Sequence, residues 1–349
     1  MHNKTLPSCH LRNGDTHSRI ILWWWQLSEW HSDKRADPTN IYRSYIANGV
    51  SAIDCADIYT WVEEAIGKSL SELYPQGWSL PRIHTKHVPD LTDIEQGNVT
   101  EAWTRELILR SLERTQRSCL DLVQFHQWKY DIETYRISIK TLRALQSEWL
   151  IRWIGVTNCS VDFLLHLETS CDFIPLTTQS QYNILDRRPE KKLLSHCKER
   201  NITFYAYGSI MGWLLTEKFL WVPEPEEPIE NRSIRKYMRI ISDWWDWKLF
   251  QNLLQVLEKI GATHGMKIGD VAIAWVLWRL DNGAVITGAR NTHHAEDIAK
   301  PFSLVLNNEE LSMIDEVYKK WNPIEWDCFD IERYAPRHRD IMKFNLNTK

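Results

Sequence analysis

The sequence predicts a (β/α)8 barrel, and three observations carry that prediction. Short apolar runs and amphipathic stretches alternate about eight times with no change of order, which implies a parallel sheet with right-handed crossovers. No Gly-x-Gly-x-x-Gly occurs, so a doubly wound dinucleotide sheet lacks its main sign. The polar residues with chemical potential fall at the C-terminal ends of the predicted strands, where barrels keep their sites. At 349 residues the chain suits one undivided barrel, read as a single domain over 1–349.

Each element follows in order. Residues 1–18 are polar and carry no pattern. Residues 20–27 are the first predicted strand. Helical spacing over 38–48 runs into Gly49, which suits a C-terminal cap. The apolar run 50–53 is a strand ending at Asp54, followed by a helix over 62–73. The strand 83–86 ends at Lys86, and a loop leads to a helix over 100–116, whose Leu107, Leu109 and Leu112 read as one buried stripe. The strand 121–126 ends at His126 and precedes a helix over 133–148. Strand 151–156 ends in Thr157-Asn158, with a helix over 161–167. Strand 176–182 leads to a helix over 189–200, with Pro189 in its first turn. Strand 202–207 ends at Tyr207. Residues 220–246 read as a Pro/Glu/Trp-rich insertion. Helices over 249–263 and 268–279, a last strand over 284–287, a helix from 292 and another over 308–320 complete the domain, and 321–349 is a tail.

Asp54, Tyr59, Lys86 and His126 fall at three successive strand ends, so a carboxylate, a phenol, an ammonium and an imidazole can converge. That set suits reduction of a carbonyl by hydride. Negative charge grows on oxygen as hydride reaches carbon, so a proton donor and fixed positive charge lower the barrier. Tyr59 is the candidate donor, and a nearby Lys86 ammonium is expected to lower its pKa from about 10. Asp54 would anchor Lys86, and His126 would orient the carbonyl.

These residues and their flanks resemble the aldo-keto reductases over residues 19–320. Trp25-Gln26-Leu27-Ser28 is similar to that family's first-strand signature, and Asp54-Cys55-Ala56-Asp57-Ile58-Tyr59 to its second-strand motif. Asp121-Leu122-Val123-Gln124-Phe125-His126 resembles the strand carrying the histidine. Ile154-Gly155-Val156-Thr157-Asn158, the stretch from Gln179 to Asn183, and Gly288-Ala289-Arg290-Asn291 also have counterparts. The resemblance implies a tetrad of Tyr59, Lys86, Asp54 and His126. It also implies NADPH (NADP) in extended form across the barrel mouth, without a Rossmann unit. Asn158 and Gln179 would hold the carboxamide, Tyr207 would stack on the nicotinamide, and Arg290 would pair with the 2′-phosphate. Gly212 would lie on the pyrophosphate path.

The chain departs from that pattern at glycine positions. It holds 19 Trp and only 13 Gly. Trp23, Trp30, Trp149, Trp213, Trp221, Trp245 and Trp326 stand where relatives usually have glycine; Glu29, Asp246 and Phe329 are further replacements of this kind, and Ile298 replaces an asparagine near the adenine. Glycine at such turns serves positive φ or close approach. An impaired or non-enzymatic barrel that senses cofactor or binds partners is therefore the alternative to an active reductase.

Composition narrows the other classes. A hydrophobic share of 43% and a charged share of 25% suit a soluble globular protein. A formal net charge of −4 with no basic block argues against nucleic acid or an anionic membrane as partner. Seven scattered cysteines without Cys-x-x-Cys suit a reducing compartment. Residues 1–10 lack an apolar core, and 20–25 is too short to span a bilayer, so a cytoplasmic location is expected. His84 and His87 face opposite ways, and no His-Glu-x-x-His or Gly-x-Ser-x-Gly occurs, so neither a metal site nor a hydrolase elbow is expected. Asp54 with Glu63 or Asp57 would be a glycosidase pair, but would leave Tyr59 and Lys86 without a role. The expected partner is a small carbonyl substrate, with the protein a monomer or weak homo-oligomer.

Overall fold

The computed structural model describes residues 5–24, 37–59, 61–75, 80–244, 246–289, 291–322 and 324–347. Eight parallel strands close a barrel: β3 (Ile20–Trp23), β4 (Ala52–Asp54), β5 (Arg82–His87), β6 (Leu120–Phe125), β7 (Ile151–Thr157), β8 (Thr177–Gln181), β9 (Thr203–Tyr207) and β10 (Ala284–Gly288), with β10 pairing β3. The (β/α)8 expectation holds. Its helices are α1 (Pro38–Ala47), α2 (Val62–Leu73), α3 (Leu91–Gln96), α4 (Glu101–Thr115), α5 (Ile132–Ser147), α6 (Val161–Cys171), α7 (Arg188–Lys191), α8 (Leu193–Arg200), α9 (Arg232–Trp244), α10 (Trp247–His264), α11 (Ile268–Arg279), α12 (Asn308–Tyr318), α13 (Asp330–Tyr334) and α14 (Pro336–Arg339).

Strand alternation builds two apolar shells. Ile20 and Leu22 face the helix layer, whereas Ile21 packs inside the barrel with Ala52, Leu122, Tyr205 and Ile286. The same parity sends Asp54, Lys86, Gln124 and Gln179 into the upper interior, because they continue the inward-facing rows of their strands. Helix starts are fixed by side-chain caps: Thr100 accepts from Trp103 N at 3.2 Å, Asp131 from Thr134 N at 2.9 Å, and Asp246 from Leu249 N at 2.6 Å. Asp246 is thus an N-cap in extended backbone, with φ −95°, and not a left-handed glycine substitute.

Several expectations need correction. The buried stripe of α4 is Thr104, Leu107, Ile108, Ser111 and Leu112; Leu109 is 44% exposed because it lies about 200° around the helix from Leu107. The single helix expected over 189–200 is broken at Lys192 (φ −147°) into α7 and α8. Residues 292–299 form turns rather than a helix, and 300–303 a 3₁₀ turn. The insertion carries the amphipathic α9, and the tail carries α13 and α14. The N-terminal stretch is a hairpin, β1 (Ser8–His10) with β2 (Thr16–Ser18). It closes the barrel floor through Cys9 and Leu11 in the inner cluster and through Arg12, which donates to the carbonyls of Ile174 and Pro175 at 2.7 Å each. Gly49, at φ +95°, follows the C-cap Asn48, as helix geometry requires. The predicted strand segment beyond Trp24 lies outside the described residues.

All seven cysteines are free thiols. Among the described residues no helix is long and apolar enough to cross a membrane, and no group of His, Cys, Asp or Glu is placed to hold a metal ion.

Candidate active site

Barrel parity and the tight turn after β4 bring the four candidate residues to one cleft. Lys86 Nζ donates to Asp54 Oδ2 at 2.5 Å and to Cys55 O at 2.8 Å, and lies 5.3 Å from the Tyr59 ring centroid. Tyr59 N donates to Ala56 O at 3.0 Å, which folds the phenol back over the strand end. Tyr59, Lys86 and His126 line one cavity of about 260 Å³, and Asp54 lies behind Lys86. Asp54 Oδ1 also accepts from Gln179 Nε2 at 2.8 Å and Gln124 Nε2 at 3.2 Å.

These surroundings set the charges. Burial pulls the Lys86 pKa down, but the Asp54 carboxylate and Tyr59 outweigh it, so the net shift is upward and the ammonium is retained. Burial pushes Asp54 up, against Lys86 and the two amides. Tyr59 departs from the sequence expectation. Burial raises its pKa more than Lys86 lowers it, so the phenol stays protonated well above neutral pH. Burial, then the charge of Arg333, holds His126 down to about 3. His126 is therefore neutral, and its Nδ1 lies 3.3 Å from Thr157 O, a carbonyl that can only accept.

The candidate cofactor residues divide. Asn158, Gln179, Tyr207 and Gly212 line the same cavity as Tyr59, whereas Arg290 lies outside the described residues. Asn158 is left-handed at φ +59°, and its Oδ1 accepts from Tyr207 OH at 3.0 Å. Gly212 has φ +62°, and a Cβ there would press on the Ser233 backbone at 3.1 Å. Trp23 Nε1 donates to Tyr59 OH at 3.4 Å. The site also contains residues the sequence reading missed. Lys236 from α9 lies 5.1 Å from the Tyr207 ring centroid and pairs with buried Glu332 of α13 at 3.2 Å. Arg333, fully buried, donates to Asn158 O at 2.5 Å and Tyr130 OH at 2.9 Å. Asp330-Ile331-Glu332-Arg333 lies in the stretch read only as a tail, with no periodicity to mark it as buried.

His84 stacks on Tyr205 inside the barrel, while His87 packs on Phe125 in the helix layer. Glu63 is held by Thr85 at 2.7 Å and Ser111 at 3.2 Å, and Asp57 accepts from Val88 N at 3.1 Å. Neither carboxylate opposes Asp54 across the mouth.

A nicotinamide fits the first cavity in its chemistry: amide side chains, an aromatic ring and a phenol line it. The rest of a dinucleotide fits less well. Trp213 stands on the wall between this cavity and a second one of about 470 Å³, which holds Ile298. In that second cavity Glu217 Oε1 accepts from Ile268 N at 2.5 Å, placing a carboxylate at the first turn of α11, where a helix favours phosphate.

Comparison with known proteins bears on the whole barrel. Residues 19–319 match the profile described as "Aldo/keto reductase family". The chain is 25% identical over 307 residues to "Aldo-keto reductase YhdN" of Bacillus subtilis (strain 168), covering 86% of this chain and 89% of that protein. Two solved structures share the fold. The glycerol dehydrogenase of Gluconobacter oxydans superposes with a TM-score of 0.76 at 22% identity, covering 94% of this chain and 98% of that one. An aldo-keto reductase from Klebsiella pneumoniae in complex with NADPH gives 0.68 at 21% identity, covering 93% and 98%.

Proposed function

The chain belongs to the aldo/keto reductase family, and from that premise we propose that it is an NADPH-dependent reductase of an aldehyde or ketone. The observation that carries the reading is the buried Lys86–Asp54 pair beside the Tyr59 phenol, at one end of a cavity that also holds His126. Reduction needs a hydride at the carbonyl carbon, which a reduced nicotinamide supplies when bound, and a proton at the carbonyl oxygen. Tyr59 donates that proton. Lys86 stabilises the phenolate left behind, and Asp54 keeps Lys86 charged and in place. His126 bounds the substrate pocket; to donate to a carbonyl it must adopt the Nε2–H tautomer and give up its long bond to Thr157 O. Asn158, Gln179 and Tyr207 line that cavity, and we assign the first two to the carboxamide and Tyr207 to the ring. Arg290 is proposed for the 2′-phosphate on the resemblance of its motif alone.

The test is NADPH oxidation with a panel of aldehydes and ketones. Tyr59→Phe is expected to lower kcat by about 10²-fold or more while leaving NADPH binding intact. Unchanged turnover would remove the assigned mechanism. The second reading, a barrel that binds cofactor weakly, is favoured by one observation, the indole of Trp213 beside the cleft.

A further inference from the structure

Ten non-glycine residues of the described chain have positive φ, and four of them are tryptophan: Trp61 (+65°), Trp149 (+63°), Trp213 (+80°) and Trp221 (+61°). Asparagine and aspartate tolerate this region through local hydrogen bonds, but an indole gains nothing there and crowds the following carbonyl. Packing does not compensate at three of the four. Trp61, Trp149 and Trp221 are 59%, 81% and 73% exposed. Turns with this backbone and empty space for a side chain are glycine turns.

The fourth residue bears on binding. Trp213 follows Gly212, itself at φ +62°, and its ring lies 5.8 Å from that of His294. Ile210, Trp213, Thr287 and Gly288 line both cavities, so the indole stands on their shared wall. A ligand with a nicotinamide near Tyr59 and an adenine near Ile298 must cross that wall. Removing the indole joins the two chambers at no cost to the backbone, which is already in a glycine conformation.

We propose that Trp213 occupies a glycine site and closes the dinucleotide cleft, and that the cofactor-binding form of this protein carries glycine there and at 61, 149 and 221. The same exchange at scattered, structurally unrelated turns, in a chain with 19 Trp and 13 Gly, has one economical cause. The codon UGA is decoded as tryptophan in some bacterial codes and as glycine in others. A gene whose host reads UGA as glycine yields this chain when read with the tryptophan assignment. The inference rests on the reductase reading for the identity of the ligand, but its backbone argument does not.

The test compares the parent chain with Trp213→Gly and Trp149→Gly. NADPH is titrated by calorimetry, and folding is followed by circular dichroism. Trp213→Gly is expected to bind NADPH at least about tenfold more tightly. Trp149→Gly, remote from the cleft, is expected to raise Tm and leave NADPH affinity unchanged. A folded Trp213→Gly that binds NADPH no more tightly than the parent overturns the closure. If parent and variant bind equally and both reduce carbonyls, this inference fails alone. If Trp213→Gly binds tightly but reduces no carbonyl, the reductase reading fails and this inference stands. Peptide mass spectrometry of the protein from its native cells reads the incorporated residue directly: glycine at 149 and 213 supports the inference, and tryptophan at 213 overturns it.

Discussion

The proposed proton donor, Tyr59, is protected rather than activated. Burial and the neighbouring Asp54 hold its proton on, and Lys86, 5.3 Å from its ring, offsets only part of that. The pH profile follows. Reduction uses the protonated phenol, so its rate is expected to stay level through neutral pH and to fall only above the ordinary tyrosine range of about 10. Alcohol oxidation needs the phenolate and is expected to rise toward alkaline pH. Steady-state rates in both directions between neutral and strongly alkaline pH check this. A reduction rate that halves near neutrality would assign the proton to another group. The four left-handed tryptophans belong to the same scale. Composition marked an excess of indole, but only backbone angles separated Trp149 and Trp213 from Trp23, which lies in a strand, and from Trp326, which is absent from the positive-φ set.

At the scale of elements, the insertion and the tail act as one clamp. α9 contributes Lys236 and α13 contributes Glu332 and Arg333, and these meet over Tyr207 and Asn158. Arg333 also donates to Gln127 O at 3.3 Å and Asp330 Oδ1 at 3.1 Å, so one guanidinium ties the tail to the ends of β6 and β7. Arg333→Ala leaves those acceptors unpaired in a buried place. It is expected to destabilise by about 2–4 kcal/mol, to speed proteolysis within 321–349 and to raise the KM for cofactor more than it lowers kcat. Urea melts, limited proteolysis and steady-state kinetics read the three effects. An unchanged melt with unchanged KM would show that the clamp is ornamental. Neither helix was legible within its segment. α9 was hidden in a Pro- and Glu-rich stretch, and α13 is too short for periodicity to report.

For the whole molecule, buried titratable groups set the acid limit. Burial holds His17 down to about 4, His84 well below its usual value and His126 to about 3. Each is neutral when folded and takes up a proton on unfolding below about 6.5, so the stability each contributes is present above that pH and is lost as pH falls toward the folded value. Glu63 acts oppositely. Burial raises its pKa from 4.5 to about 7, so the folded state holds a proton the unfolded state has released, and that contribution is lost as pH rises through this window. His196 and His338 are shifted down as well, and Asp54, Asp270 and Asp330 are shifted up with Glu63. The five histidines act across this window, and Tm is expected to rise from pH 4.5 to 6.5. Glu63→Gln removes one opposing group and is expected to steepen that rise and to raise Tm at pH 8 relative to the parent. Scanning calorimetry across this range checks both signs, and a parent Tm that falls over it would contradict the assignment.

The sequence by itself determined the barrel and the convergence of Asp54, Tyr59, Lys86 and His126. Strand period and strand ends are local properties, and parity along a strand decides which side chains face the mouth. Helix ends were legible where a cap residue marks them, as at Pro38–Ala47, which Asn48 and Gly49 close. Only the tertiary structure decided what surrounds those residues: the floor built by a polar hairpin, the clamp of Lys236, Glu332 and Arg333, the exposed side of Leu109 and the upward shift of Tyr59. Each depends on which distant segment packs against which, and burial, the largest influence on every charge in the site, is a property of that packing alone.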